Sequence, residues 1–386
     1  MSNIRSINIK KPGAILSRIG VFACIFVLFA LLGAVGLKSD AQAASSYKIK
    51  VNKKACTVTI YKLKDGKYKA IKAMICSPGY ATPTGTYSLG EKIRWHVLDG
   101  PTYGQYCSRI TGSILFHSVW YYEPKKDMQS YAQYNKLGSL ASHGCVRLTV
   151  ADAKYIYDKI PSGTKVVVYN SSKPGPLGKP SAIKVKGYTG WDPTDPDSSN
   201  PYKKKKPTIS GVKNQTIKYG STFKVKKGVT AKNTTGFSAT KLIKTKIYFK
   251  GLDDTSYTKV KKLDTNKIGK YKVVYSVKDE IGHKASKKAI IKVKPSKYVK
   301  KIKLSDTKKT LYLGGKTSLS KFTLSAAAFT PSDASVQTLE FSSAGTKIAT
   351  VSSSGVVKAV AVGKVYIKAK ATDGSGVYSR CLVTVE

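Results

Sequence analysis

From Tyr47 to Val385 the chain is written in short alternating runs, and this pattern limits the folds open to it. Tyr47–Val51, Cys56–Tyr61 and Lys270–Val277 set apolar and polar side chains in turn, which is the period of a strand with one buried face. Asp65-Gly66 supplies a hairpin turn, and Gly220, Gly228, Gly251 and Gly269 punctuate the later runs. Ile114-Leu115-Phe116-His117 reads as a buried strand that presents His117 at its end. One stretch has the helical period instead. Ala153, Ile156, Tyr157 and Ile160 share a face, Thr149 is the expected N-cap with Asp152 three residues on, and Pro161-Ser162-Gly163 stops the run. The pattern predicts a mainly β protein with one well-marked helix.

A chain of 386 residues exceeds one ordinary core, so two to four domains are expected. Residues 46–170 read as one β-rich domain with the helix beside it. Within it, residues 118–141 show little periodicity and read as a long surface loop. Residues 171–206 hold Pro174, Pro176, Pro180, Pro193, Pro196 and Pro201 and close on Lys203–Lys206, which predicts an extended, poorly packed linker. Residues 207–295 and 297–386 each read as a small β-sandwich with lysines on the solvent face.

Charge narrows the partners. Against 21 Asp and Glu stand 68 Lys and Arg, a formal +47, a field that draws a protein to polyanions. Residues 1–18 carry Arg5, Lys10, Lys11 and Arg18, residues 19–37 are apolar, and Ala41-Gln42-Ala43 has the small-x-small form of a signal peptidase site. Residues 1–43 therefore read as a leader, removed after Ala43 or retained as a membrane anchor through residues 19–37. Export argues against nucleic acid as a partner. It favours an extracellular, wall-associated protein that meets anionic wall polymers or the membrane surface.

Cysteine is sparse for an exported chain, which excludes a disulfide scaffold. Apart from Cys24 in the leader, Cys56, Cys76, Cys107, Cys145 and Cys381 make an odd number. A Cys76–Cys107 bridge and buried reduced thiols are both open. No histidine pair has helical ligand spacing and no Cys-x-x-Cys occurs, so neither metal nor cofactor is expected.

Ser142-His143-Gly144-Cys145-Val146-Arg147-Leu148 is the stretch where chemistry concentrates. A thiolate forms where a histidine, a basic side chain or a helix N-terminus offsets its charge. His143, Arg147 and the helix opening near Thr149 offer all three. His117 and His143 compete as the base that takes the thiol proton. Arg147 suits a substrate carboxylate or a structural salt bridge equally well. His96 reads as an ordinary strand histidine, with a place at the border of the substrate groove as the alternative, and His283 as a surface residue.

With His117, Ser142-His-Gly-Cys145-Val-Arg147 and Thr82-Pro83-Thr84-Gly85 in order, residues 47–170 resemble an L,D-transpeptidase catalytic domain of the YkuD type. The 24 residues between His117 and Ser142 exceed that family's usual gap, and Arg147 stands where Asn is the stricter match. The longer gap is read as a loop over the active site. The resemblance implies acyl transfer on peptidoglycan tetrapeptide stems: Cys145 attacks, D-Ala leaves, and the amine of a second stem resolves the thioester into a 3→3 cross-link. It implies His117 as base and proton donor with Ser118 orienting its ring, Gly144 and Cys145 amides for the oxyanion, His143 in loop or oxyanion support, and Ser142 and Arg147 on the substrate. An L,D-carboxypeptidase, in which water takes the thioester, and a non-catalytic wall-binding or adhesion protein remain open. Gly211-Val212, Gly228–Ala231 and Gly269–Tyr275 resemble bacterial Ig-like repeats. Residues 297–386, with Ile348–Val351, Gly355–Ala359 and Gly363–Ile367, resemble the bacterial group 2 Ig-like domain.

Overall fold

A computed structural model describes residues 46–187, 189–314 and 319–386. The expected leader, residues 1–43, lies outside them. Among the described residues no helix is long and apolar enough to cross a membrane. The protein is mainly β, as the alternating runs require.

The first unit runs to Lys205. Its strands are β1 (Tyr47–Asn52), β2 (Thr57–Lys64), β3 (Lys67–Ile75), β4 (Gly85–Ser88), β5 (Lys92–Val97), β6 (Tyr103–Thr111), β7 (Ile114–Ser118), β8 (Val146–Leu148) and β9 (Lys165–Tyr169); its helices are α1 (Tyr131–Tyr134) and α2 (Val150–Lys159). They form two sheets, ordered β3-β2-β1-β9-β4 and β5-β6-β7-β8. The β2–β3 hairpin turns at Asp65 and Gly66, both left-handed (φ 54° and 70°), as a tight Asp-Gly turn demands. Inward-facing Ile49, Val51, Val58, Ile60, Phe116, Val146 and Leu148 meet Ala153 and Ile156 of α2 in one core. Thr149 caps α2 by accepting from the Asp152 amide at 3.2 Å. Asp152 itself pairs with Lys72, 3.0 Å away.

Two expectations need correction. Residues 118–141 are only in part a surface loop: residues 122–125 and Tyr131 are exposed, but Val119, Tyr121, Gln129, Tyr134 and Leu137 are buried. Their apolar groups follow no simple period because a segment folded back on a sheet edge anchors side chains one at a time. Residues 171–205 are likewise packed. Asp192, Asp195, Asn200 and Tyr202 are buried, and the Asp192 carboxylate accepts from the Val150 amide at 2.8 Å, at the start of α2. Asn135 exchanges two hydrogen bonds with the Val185 backbone, at 3.0 and 2.8 Å. Successive Asx turns explain why so polar and proline-rich a stretch can pack. Asp192, Asp195, Asp197 and Asn200 each accept from the amide two residues on, so the buried oxygens of Asp192, Asp195 and Asn200 arrive already paired.

Asp192→Ala tests that anchoring. It leaves the buried Val150 amide and the partly buried Thr194 amide without their acceptor, and a loss of about 1–3 kcal/mol is expected. All three tryptophans (Trp95, Trp120 and Trp191) lie in the first unit, so their fluorescence during urea unfolding reports this unit alone. An unchanged midpoint would show the segment to be a passive strap.

The second unit holds two sandwiches. In the first, β10 (Thr208–Ser210) and β12 (Thr230–Lys232) face a five-stranded sheet of β11 (Gln215–Lys218), β13 (Lys244–Lys250), β14 (Thr258–Val260), β15 (Gly269–Lys278) and β16 (Lys284–Lys294), ordered β11-β16-β15-β13-β14. Ile209, Ala231, Ile247, Tyr271, Val273, Tyr275, Ile291 and Val293 fill it. The second has β17 (Lys301–Leu304), β18 (Lys308–Leu311), β19 (Lys321–Thr323), β20 (Ala326–Thr330), β21 (Leu339–Ser343), β22 (Ala349–Val351), β23 (Val356–Ala359), β24 (Gly363–Ala371) and β25 (Tyr378–Val385) around a separate core. In each, an early strand runs parallel to the last one: β11 beside β16 and β18 beside β25.

Cys56, Cys76, Cys107 and Cys381 are buried and reduced, so the Cys76–Cys107 bridge is not made. Among the five described cysteines, Cys145 alone is not buried.

Candidate active site

The register of two short strands assembles the site. β7 and β8 run parallel, with Phe116 opposite Val146, His117 opposite Arg147 and Ser118 opposite Leu148. Side chains alternate across a strand. Phe116, Val146 and Leu148 therefore enter the core, while Leu115, His117, Cys145 and Arg147 line a cavity of about 860 Å³ on the opposite face. A one-residue slip in either strand would take the histidine or the arginine out of it.

His117 is fully enclosed. Its Nδ1 lies 2.6 Å from the Ser118 carbonyl oxygen, an acceptor, so Nδ1 carries the proton and Nε2 is the free lone pair. The Ser118 hydroxyl is occupied elsewhere, accepting from the Gln105 amide at 3.0 Å. Burial, then the Arg147 charge, press the imidazole down to about 3, against the opposing pull of the Ser118 carbonyl. His117 is thus neutral at any physiological pH.

Cys145 sits just before β8, half-buried, its thiol directed to the Ser113 carbonyl at 3.6 Å. Burial raises the thiol, while the Leu115 amide, Arg147 and Arg109 pull it back. The expected help from the helix N-terminus is absent. Strand β8 separates Cys145 from α2, and Thr149 and the Asp192 carboxylate already hold the first amides of that helix. The resting pair is neutral thiol and neutral imidazole.

His143 also lines this cavity, at its solvent side. Its side chain is 91% exposed and its Nδ1 meets Asp99 Oδ2 at 2.8 Å. Its backbone does the structural work, accepting from the Ala81 amide at 2.9 Å. The Ser142 hydroxyl donates to the Cys145 carbonyl, closing the turn around the thiol, and Ser142 borders the cavity. Arg147 donates to Gln133 Oε1 and to the Ala141 carbonyl, both at 2.8 Å. No carboxylate among the described residues pairs with it, so the expected alternative of a structural salt bridge is not formed.

Residues 46–168 match the family model of the L,D-transpeptidase catalytic domain, YkuD, and residues 298–380 match that of the bacterial Ig-like domain, group 2. Residues 46–168 are an L,D-transpeptidase catalytic domain. A curated relative, YciB of Bacillus subtilis (strain 168), whose name assigns it provisionally to the L,D-transpeptidases, is 42% identical over 92 residues. That match covers 23% of this chain and 46% of YciB, so the chain spans about half the length of the curated relative it matches. Similar solved structures include an L,D-transpeptidase from Mycobacterium smegmatis, 20% identical over 32% of this chain and 59% of that one, with a TM-score of 0.26. Another, from Mycobacterium tuberculosis H37Rv, is 26% identical over 32% of this chain and 58% of that one, also at 0.26. Scores this low bear on neither fold nor function.

Other residues shape the site from behind and beside it. Thr82, from the Thr-Pro-Thr-Gly turn, donates to the Gly144 carbonyl at 2.5 Å and accepts from the Gly79 amide at 2.8 Å, pinning the cysteine loop from behind. Gly104 makes room for the base, since a Cβ there would stand 2.9 Å from His117 Nδ1. His96, read as an ordinary strand histidine, borders the cavity, as do Trp120 and Gln133 of the segment read as a surface loop. His283, read as a surface residue, hydrogen-bonds Thr234 Oγ1 at 3.2 Å. The small size of Gly79 and Gly104 is a tertiary requirement with no local signature.

Gly79→Ala is the direct test of that packing. Its Cβ would overlap the backbone carbonyl of His143, which cannot rotate aside. A loss of about 1–3 kcal/mol is expected, with turnover falling as the cysteine loop shifts. Unfolding followed by tryptophan fluorescence, together with the rate of Cys145 alkylation, measures both.

Proposed function

We propose that this chain is an exported peptidoglycan L,D-transpeptidase that forms 3→3 cross-links through an acyl-enzyme on Cys145. The observation that carries the reading is the convergence of Cys145, His117 and Arg147 on one face of the β7–β8 ladder, in a single open cavity. Nε2 of neutral His117 takes the thiol proton as sulfur attacks the carbonyl that precedes the terminal D-Ala, so no standing thiolate is required. The amides of Gly144 and Cys145 hold the oxyanion. The protonated imidazole passes its proton to the leaving D-Ala amine, and a second stem's amine then resolves the thioester.

Arg147, fixed by Gln133 and Ala141 and short of a carboxylate, fits the free carboxylate of the donor stem. Arg147→Gln is expected to raise KM by about tenfold, the loss of one charge-assisted hydrogen bond. An unchanged KM for the tetrapeptide would remove Arg147 from substrate recognition. Retention at the cell surface falls to the charge excess of the remaining domains.

The deciding experiment is product analysis. The chain, incubated with disaccharide-tetrapeptide, is expected to yield cross-linked dimer and free D-Ala. Tripeptide without dimer would make it an L,D-carboxypeptidase. Neither product would leave a wall-binding protein without this chemistry.

A further inference from the structure

The outer face of the sheet β11-β16-β15-β13-β14 is a lattice of lysines in cross-strand register. Lys250, Lys270 and Lys292 stand directly opposite one another on β13, β15 and β16. Two residues along, Lys259, Tyr248, Lys272 and Ile290 form the next row, with the Lys272 ammonium 4.9 Å from the Tyr248 ring centre and 4.6 Å from that of Tyr257. Lys246 and Lys288 flank Val274 in the row after. Lys278 faces Lys284 at one end, and Lys218 faces Lys294 at the other. No carboxylate stands in these rows, and among the described residues none of these lysines makes an ion pair.

Like charges set directly opposite on a sheet destabilise it. Solubility alone would be served by scattering them. At the Lys278–Lys284 end the face opens into a groove of about 690 Å³, lined by Lys241, Lys244, Lys278 and Lys284 with Ser276, Ser286 and apolar residues such as Leu242. Charge and shape therefore coincide on one surface.

We propose that this sheet face and its end groove form a docking surface for a linear polyol-phosphate polymer. This deepens, and rests on, the wall-retention reading above. Neighbouring lysines lie about 5 Å apart across strands and about 7 Å along them, a few-ångström repeat that suits successive phosphates of an extended phosphodiester chain. Residues 207–295 contain no arginine. Lysine's compact ammonium serves a phosphate from any direction, whereas planar carboxylates favour the arginine fork. A nucleic acid would call for a series of aromatic platforms on which bases stack, and in these rows Tyr248 is the lone aromatic residue. A flexible polymer without bases is the match.

The test measures binding of the full chain to fluorescent poly(glycerol phosphate) over a salt series. Parallel arms use oligo(dT) of equal charge and vesicles of phosphatidylcholine with phosphatidylglycerol. The face variant Lys250→Gln/Lys270→Gln/Lys272→Gln/Lys292→Gln is expected to lose at least tenfold in affinity. Its log–log salt slope should fall by about 3, at roughly 0.7 per contact. A groove variant, Lys244→Gln/Lys278→Gln/Lys284→Gln, should weaken binding in the same direction. Both should keep or raise Tm, since each removes like-charge repulsion. A control with Lys303, Lys321, Lys358 and Lys364 changed to Gln in the last domain should stay within twofold. Equal losses from face and control would overturn the site, as would polymer binding no tighter than oligo(dT), or binding confined to vesicles. Cys145→Ala should bind polymer like wild type, so failure of the docking surface and failure of the acyl-transfer reading appear in separate measurements.

Discussion

Cys145→Ala is expected to abolish dimer and tripeptide formation, to below about a thousandth of the wild-type rate, because no other described thiol is accessible. Intact mass after incubation with a carbapenem gives the sharpest readout. Wild type should gain one acyl adduct, located at Cys145, and the variant none. An adduct that persists in the variant would sink the assignment of the nucleophile. Burial should shield the other described cysteines, and Cys107 in particular is pushed up to about 12. Native-state iodoacetamide should therefore mark Cys145 first, with the buried thiols reacting after denaturation. Since burial also raises Cys145, its alkylation rate should still be climbing above pH 9, where a free cysteine levels off.

His117→Asn should lower turnover by about 10²–10⁴-fold, the usual contribution of a positioned general base. His143→Ala should cost little by comparison, its side chain being almost wholly in solvent. With His117 held at about 3, the acid limb of the rate profile should lie well below the ordinary histidine range. A limb near pH 6.5 would mean that another group is the base.

The same depression has a stability signature. An unfolded chain takes up the histidine proton near pH 6.5, whereas the folded one resists until about 3. The contribution is full above pH 6.5 and is lost as pH falls toward 3, with an upper bound of about 4–5 kcal/mol. Asp192, raised by burial to about 6, acts in the opposite sense, its contribution being lost as pH rises through that value. Subtracting the His117→Asn profile from wild type isolates the histidine. A flat difference between pH 3 and 6.5 would contradict its burial in neutral form.

What the chain's own order of residues determined is considerable. Period-two runs fix strands because alternation decides which face is buried, and Asp65-Gly66 fixes a hairpin because both positions need left-handed backbone. The Thr149 cap and the Ala153–Ile156 stripe fix α2, and His117 with Ser142–Arg147 marks the chemistry. Apart from the pairing of His117 with Ser142–Arg147, each of these signals is local, complete within a dozen residues.

The rest depended on contacts across the fold. Only the parallel register of β7 on β8 brings His117 and Arg147 side by side. Thr82 reaches the cysteine loop across 62 residues, and the Asp192 carboxylate reaches the start of α2 across 42, which makes a proline-rich stretch part of the catalytic unit. Burial decided the protonation states, since the charge on a thiol or an imidazole answers to solvent exclusion and to neighbours distant in sequence. Local pattern selects which backbone elements form. Which side chains then share one water-poor cavity is settled by packing, because that depends on register and close approach between segments that no short window of sequence contains.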